Sequence, residues 1–566
     1  MCSEPGSALQ SKTEIYPLSQ VHAGLRATAW TVFRGTQPEA MDVEILGVLR
    51  GALGPEQDMI LAQLHGAKPE YTGVVAGMSG SPVYVDGKLL GALSYRIGQF
   101  ARDPIAGITP IEQMLAVRDL PQTASGGAAV SAGGMSLQPM ETPLTMSGFG
   151  SEAIRYWQQQ MAGTGLENVG AGGAGSSAGT SNKAEVAPGA AVSAQLVRGD
   201  LEIAASCTVT YVDPKQLLAC GHPLFQFGTI SMPMTATEVV ATLASPLNAF
   251  KIVNTGAEIG AFTEDRNAAI RGELGARAHM IPMLVTVDGG VRPRQVKVEI
   301  LDQPSLTDQA AQVVLLQALM ASVDNSAAAS YHVTGTVEVE GFPAFPVDLW
   351  GAPADAMPAT ISAAVQLGEW IKPIYANSTR SGALRKIDLH VETLPRRAQL
   401  ELVSARLMGS NVVHAGEKVQ VEATLQPWQQ PEQKIILEVQ LPAWLPEGSV
   451  RLLVSDAGTL DRALKPPQGP AQRANLNSVL SESRERHPAD RLYASLLMPA
   501  AQATVDGQTL QNLPLSMTNA LEPLRGKPDT ALNGESAEVL EQKEAGGSIA
   551  GFSVLHIRIE RGAGLK

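Results

Sequence analysis

The chain has 566 residues, more than the roughly 250–300 that one hydrophobic core can serve, so at least three domains are expected. Apolar residues make up 44% and aromatic ones only 4%, with 55 glycines and 37 prolines, which suits Val/Leu/Ala-rich sheets joined by many turns and argues against an aromatic-lined carbohydrate binder. Lys and Arg number 42 against 55 Asp and Glu, a net charge of −13, so phosphate backbones are repelled and no nucleic-acid partner is expected.

The N-terminus, Met1-Cys2-Ser3-Glu4-Pro5, lacks a basic segment followed by an apolar one, so no signal peptide is read in it; Cys2 stays open as a lipid-attachment residue. No apolar run reaches the roughly 18 residues of a spanning helix, and no transmembrane segment is expected. Residues 14–120 are read as a first β lobe. Its strands include Val43–Val48 and Met59–Leu64, and its clearest hairpin turns at Asp86-Gly87, where positive φ is needed. Ile111–Val117 reads as a short helix closing that lobe.

Residues 121–187 are read as a connector. Within it Gly170–Gly179 is too poor in side chains to build a core and is expected to link flexibly, after a stretch of helical spacing at Ala153–Met161. A second β lobe is placed at 188–300, and a helix/strand extension at 301–395. The extension has a helix over Ser305–Val323, N-capped by Thr307, and a strand over Tyr331–Glu340. The strict alternation of Lys418–Leu425 and the runs Ile435–Leu441 and Val450–Val454 mark 396–566 as a β-sandwich-like domain. Cys207 and Cys220 flank Asp213-Pro214-Lys215. They could face each other across a hairpin, but with the register open they are read as two reduced, buried thiols.

Chemistry concentrates in Gly77-Met78-Ser79-Gly80-Ser81-Pro82. A serine hydroxyl is a weak nucleophile until a base takes its proton and donors stabilise the oxyanion. Gly77 permits a tight turn in which the amides of Gly77 and Ser79 face one oxyanion, and Gly80 keeps the approach open. This is the logic of a chymotrypsin-type nucleophile loop. The α/β-hydrolase elbow fails, because position 81 is Ser rather than Gly and a hairpin follows where a helix should begin. Of nine histidines, His222 in Ala219-Cys220-Gly221-His222-Pro223 stands at a strand end among structure-breaking residues and is taken as the general base. His414 and His487 read as surface residues, while His279, His332, His390 and His556 read as structural. His22 and His65 share a lobe with Ser79.

These segments resemble the SpoIVB-type serine peptidases, named for stage IV sporulation protein B. The likeness runs through Thr72–Pro82, the Asp86-Gly87-Lys88 turn, Asp103-Pro104 and Ile111-Glu112-Gln113-Met114-Leu115. It resumes at Ala219–Pro223, Asn254-Thr255-Gly256, Gly260-Ala261-Phe262 and Ile270-Arg271-Gly272. The resemblance implies Ser79 as nucleophile and His222 as base. It departs in three ways. Family enzymes carry the His segment first. The aspartate they place upstream of the Ser is absent, Leu64-His65 occupying that stretch. Their peptide-binding PDZ domain has no visible counterpart.

The expected fold is therefore mainly β, with two chymotrypsin-like β-barrel lobes in exchanged order followed by a C-terminal β-sandwich-like domain with a few helices. Asp265 is the first choice for the orienting acid, with Asp58 and Asp103 as alternatives. The expected function is a serine endopeptidase acting on a protein of the cell envelope. Its partners are a protein or peptide substrate and an envelope partner held by the C-terminal domain, and its location is outside the cytoplasm. The alternatives are a non-catalytic envelope scaffold or binding protein that keeps the fold, and a Ser-dependent esterase. No cofactor and no metal is expected, since no His/Cys/Asp cluster has ligand spacing and no nucleotide loop occurs.

Overall fold

The computed structural model describes residues 13–97, 103–120, 137–140, 142–162, 164, 169–170, 172–174, 186–245, 249–288, 293–321, 329–353, 357–377, 384–464, 475–498, 501–505, 508–524 and 530–560. Cys2 and most of Gly170–Gly179 lie outside them. The chain divides into two compact units, Met1–Met280 with Val298–Gln303, and Ile281–Lys297 with Pro304–Lys566.

The first unit opens with β1 (Arg26–Thr31), β2 (Glu39–Gly54), β3 (Gln57–His65), α1 (Ala67–Thr72), β4 (Pro82–Val85), β5 (Lys88–Ile97), β6 (Ile105–Pro110) and α2 (Ile111–Arg118). The strands pair in the order β4-β1-β2-β3-β6-β5, and β4 also pairs β5, so the sheet closes into a six-stranded barrel with no free edge in the circuit. Alternation drives the closure. Ala27, Ala29, Val43, Ile45, Ile60, Ala62 and Leu64 point inward from β1–β3 and pack with Met78, Val83 and Leu93. The Asp86-Gly87 turn joins β4 and β5, with both residues at positive φ, as a two-residue hairpin of this kind requires.

After β7 (Leu137–Pro139), β8 (Leu144–Ser147) and α3 (Ser151–Gln160) come two short strands, β9 (Val169–Gly170) and β10 (Gly172–Ala174). Part of the glycine-rich stretch is thus paired, where a flexible link was expected. The second barrel follows with β11 (Ala191–Gly199), β12 (Glu202–Val212), β13 (Gln216–Ala219), β14 (Gly228–Leu243), β15 (Phe250–Arg266) and β16 (Ala269–Leu274). Its circuit is β11-β14-β15-β16-β13-β12, closed by β11–β12. The Ser-bearing barrel precedes the His-bearing one in the chain. β14 and β15 are long, and their outer ends meet the first barrel through paired bridges of Gly35 with Val239 and Ala76 with Phe250.

One expectation is corrected here. Cys207 and Cys220 are joined as a disulfide, their Cα atoms 5.2 Å apart, rather than standing as two thiols. The reason is register: Val209 pairs with Ala219 across β12 and β13, and an irregularity beside that pair brings Cys207 opposite the end of β13.

The second unit contains a sheet in the order Phe345–Gly351, Ser330–Val339, Leu384–Leu394 and Met280–Asp288. Two packed helices belong to the same unit, Thr307–Met320 and Ala359–Ala376. The first is buried on nearly every side. Leu306, not Thr307, occupies its cap position, and Thr307 is the first helical residue. A β-sandwich completes the unit. One sheet runs Gln433–Gln440, Lys418–Pro427, Gln399–Leu407, Ser548–Ala550; the other runs Val412–His414, Phe552–Glu560, Gly448–Ser455, Arg491–Met498, Ser536–Glu544. Val419, Val421, Leu425, Leu437, Leu452, Leu496 and Ile557 fill the space between them, as the alternation requires. No described helix is long and apolar enough to cross a membrane.

Candidate active site

The Ser79 loop joins α1 to β4 and is buried throughout residues 74–80. Its backbone is tied down at residues 76, 78, 80 and 81. Ala76 N–H donates to Ala249 O, Met78 N–H to Val75 O, Gly80 N–H to Leu93 O and Ser81 N–H to Met78 O. Among the described residues, the amides of Gly77 and Ser79 make no such bond. Buried amides are almost always paired, so these two, a residue apart, are candidates to meet an acceptor.

The second barrel holds the loop's carbonyls. Thr208 Oγ1 donates to Gly77 O at 2.9 Å, Thr208 N–H to Ser79 O at 2.8 Å and Thr210 Oγ1 to Gly80 O at 2.7 Å. Gly80 is obligatory in this packing. Its φ is +92°, and a Cβ there would stand 1.9 Å from Thr208 O and 2.6 Å from Cys220 N.

Cys220 N–H in turn donates to Thr208 O, so Thr208 links the serine loop to the segment that carries His222. The imidazole follows β13 through Cys220 and Gly221, both at positive φ, and Thr109 Oγ1 of the first barrel holds Gly221 O at 2.7 Å. His222 Nδ1 lies 2.7 Å from Pro223 O. A carbonyl can only accept, so Nδ1 carries the proton and Nε2 presents a lone pair. Nε2 and Ser79 Oγ are both buried with no hydrogen-bond partner among the described residues; they are not bonded to each other. Ser79 is 0% exposed and His222 2%. Burial lowers the imidazole pKa to about 4, against a smaller opposing pull from Pro223 O, so the ring is neutral at neutral pH.

Among the described residues no hydrogen bond joins Asp265 to the ring. Its carboxylate accepts the amides of Leu224 at 2.8 Å, Phe225 at 2.7 Å and Phe227 at 3.4 Å, fixing the turn that follows His222. Burial raises its pKa while these amides pull the other way. The expected acid–imidazole hydrogen bond is thus replaced by a loop clamp, and the acceptor on Nδ1 is a backbone carbonyl. The neighbouring arginines, Arg266 and Arg271, pair with Glu264 instead. Asp58 is engaged by Arg50 and the Gly51 amide on a hairpin, and Asp103 is exposed. His65 lies in a separate groove with Arg26, Trp30, Asp42 and Tyr84.

Sequence reasoning missed Lys251. It is 1% exposed, its ammonium donates to Thr31 Oγ1 at 2.8 Å, and its stem lies against Gly77, where an added Cβ would meet it at 3.2 Å. Burial lowers its pKa to about 7. A lone lysine in a strand gives no sequence signal for such a contact. Pro143 flanks Gly77 at the same distance. Among the described residues no cluster of His, Cys, Asp and Glu could hold a metal ion.

Residues 4–115 match the family model described as SpoIVB peptidase S55. No curated protein and no solved structure matches the chain.

Proposed function

We propose, from the premise that residues 4–115 are a SpoIVB peptidase S55 segment, that this chain is a serine endopeptidase with Ser79 as nucleophile and His222 as general base. The observation that carries the reading is the coincidence of two reactive groups of complementary type: a buried serine hydroxyl and a buried imidazole nitrogen bearing a lone pair, both unpartnered, on segments tied through Thr208. In the mechanism, Ser79 Oγ attacks the scissile carbonyl as His222 Nε2 takes its proton. The amides of Gly77 and Ser79 receive the oxyanion. His222 then returns the proton to the leaving amine, and a water activated by the same nitrogen releases the acyl group. Pro223 O holds the imidazole tautomer, and Asp265 holds the turn that positions it.

Export is supported by the Cys207–Cys220 disulfide, which suits an oxidising compartment. The substrate would be a polypeptide of the cell envelope, and the sandwich would hold a partner there. The absence of a carboxylate on His222 favours a second reading, a non-catalytic scaffold that retains the barrels. A mixed peptide library separates these readings. Cleavage by the wild type and none by Ser79→Ala supports the peptidase. No cleavage by either, with no reaction at Ser79, supports the scaffold. Reaction at Ser79 with ester but not peptide turnover supports the esterase.

A further inference from the structure

A peptidase must admit a polypeptide to its nucleophile, yet Ser79 is 0% exposed and His222 2%. The structure is of a closed site, and some element must leave before a substrate enters. Two short strands beside the neighbours of Gly77 are the candidate. β9 lies parallel to β8, with Val169 opposite Leu144 and Gly170 opposite Thr145. β10 lies parallel to β15, with Gly172, Gly173 and Ala174 opposite Val253, Asn254 and Thr255. The two short strands therefore pair with β8 on one side and with the outer part of β15 on the other, and occupy the slot between them.

The strands on either side of this slot lead directly to the serine loop. Pro143, which immediately precedes β8, and Lys251, near the start of β15, are the two side chains against Gly77. Lys251 N–H donates to Ala76 O, so β15 is bonded directly to the serine loop. Both walls offer main-chain donors and acceptors to an extended chain, which is how a strand is added to a sheet without a demand on its side chains. The present occupant is almost all glycine and alanine in sequence, so it gains ladder bonds but has little apolar side chain to offer and pays the ordering cost of glycine. Such a strand is held weakly enough to be exchanged.

We propose that the slot between β8 and β15 is a binding site for an extended, small-residue polypeptide, and that the strands 169–170 and 172–174 occupy it as a built-in competitor which shuts the site until a substrate strand displaces them. The inference rests on Ser79 being the reactive group, and its test reads the slot without needing catalysis.

Ser79→Cys places a thiol at the site. Its reaction with a small maleimide, corrected for the same chain with Ser79 retained, measures access to position 79. Deleting 169–174 should speed that reaction roughly tenfold or more. Gly170→Pro with Gly173→Pro, which removes donors from the ladder while keeping chain length, should do the same. A synthetic peptide of residues 166–177 added to the deletion variant should slow it again. Circular dichroism and the melting temperature of each variant confirm folding. Unchanged thiol reactivity in both folded variants would overturn the proposal, as would a faster reaction that the peptide does not reverse. Fluorophosphonate labelling of the Ser79 form is read in parallel. An open slot with no labelling would sink the peptidase reading while leaving the slot intact.

Discussion

His222 sits in an environment that suits the neutral ring and penalises the imidazolium. Its pKa, about 4 folded, lies below the ordinary 6.5. Between those values the unfolded chain takes up the proton first, so the folded state loses stability as pH falls from 6.5 towards 4, by on the order of 3 kcal/mol. His222→Phe should therefore flatten the denaturation midpoint across that window relative to wild type. Parallel profiles would mean the ring is solvated. Lys251 behaves in the same sense over a higher range. Its folded pKa is about 7 against 10.5, so native stability rises with pH between those values as the unfolded chain holds the extra proton. Lys251→Met keeps the stem against Gly77 and removes the charge. It should stabilise the fold most at pH 7 and below, with the gain shrinking towards pH 10.5, as urea titrations would show.

At the scale of elements, the turn from β13 to His222 is secured from three sides: by the disulfide at Cys220, by Thr109 on Gly221 O, and by Asp265 on the amides beyond. A crosslink closing so short a loop is worth about 3 kcal/mol. Cys207→Ser with Cys220→Ser should lower the melting temperature and, because His222 follows two residues later, also slow phosphonylation at Ser79. A loss of stability with no change in that rate would show that the turn keeps its shape without the bond. This region also shows what a sequence can and cannot tell. The glycine-flanked Ser79 and the strand-end His222 stand out because tight turns demand particular residue types. The disulfide was hidden by a one-residue uncertainty in register. The direction of Asp265 was hidden because proximity along a strand does not say whether a carboxylate meets a ring or a row of amides. The pairing of 169–170 and 172–174 contradicts local propensity, since glycine-rich strands are held by their neighbours rather than by themselves.

At the scale of the molecule, mainly β architecture was legible from alternation and turn spacing, and the sandwich core follows the alternation of Lys418–Leu425. Inside the second unit Ala398 N–H donates to Ser330 Oγ, Arg484 to Pro343 O, and the Arg486 guanidinium lies 4.3 Å from the Trp370 ring centre. The sandwich is thus built onto the helix-and-strand segment before it. A fragment of residues 281–566 should unfold in one cooperative step, and 396–566 alone should unfold at lower urea; equal midpoints would make the sandwich independent.

The central claim is that Ser79 is activated by His222. The mass spectrum of the intact protein after reaction with a fluorophosphonate tests it most directly. The account predicts a single adduct on the peptide containing Ser79 in the wild type, none in Ser79→Ala, a rate reduced by orders of magnitude in His222→Ala, and an unchanged rate in His414→Ala. An adduct formed as fast in His222→Ala as in the wild type, or located on another residue, would contradict it.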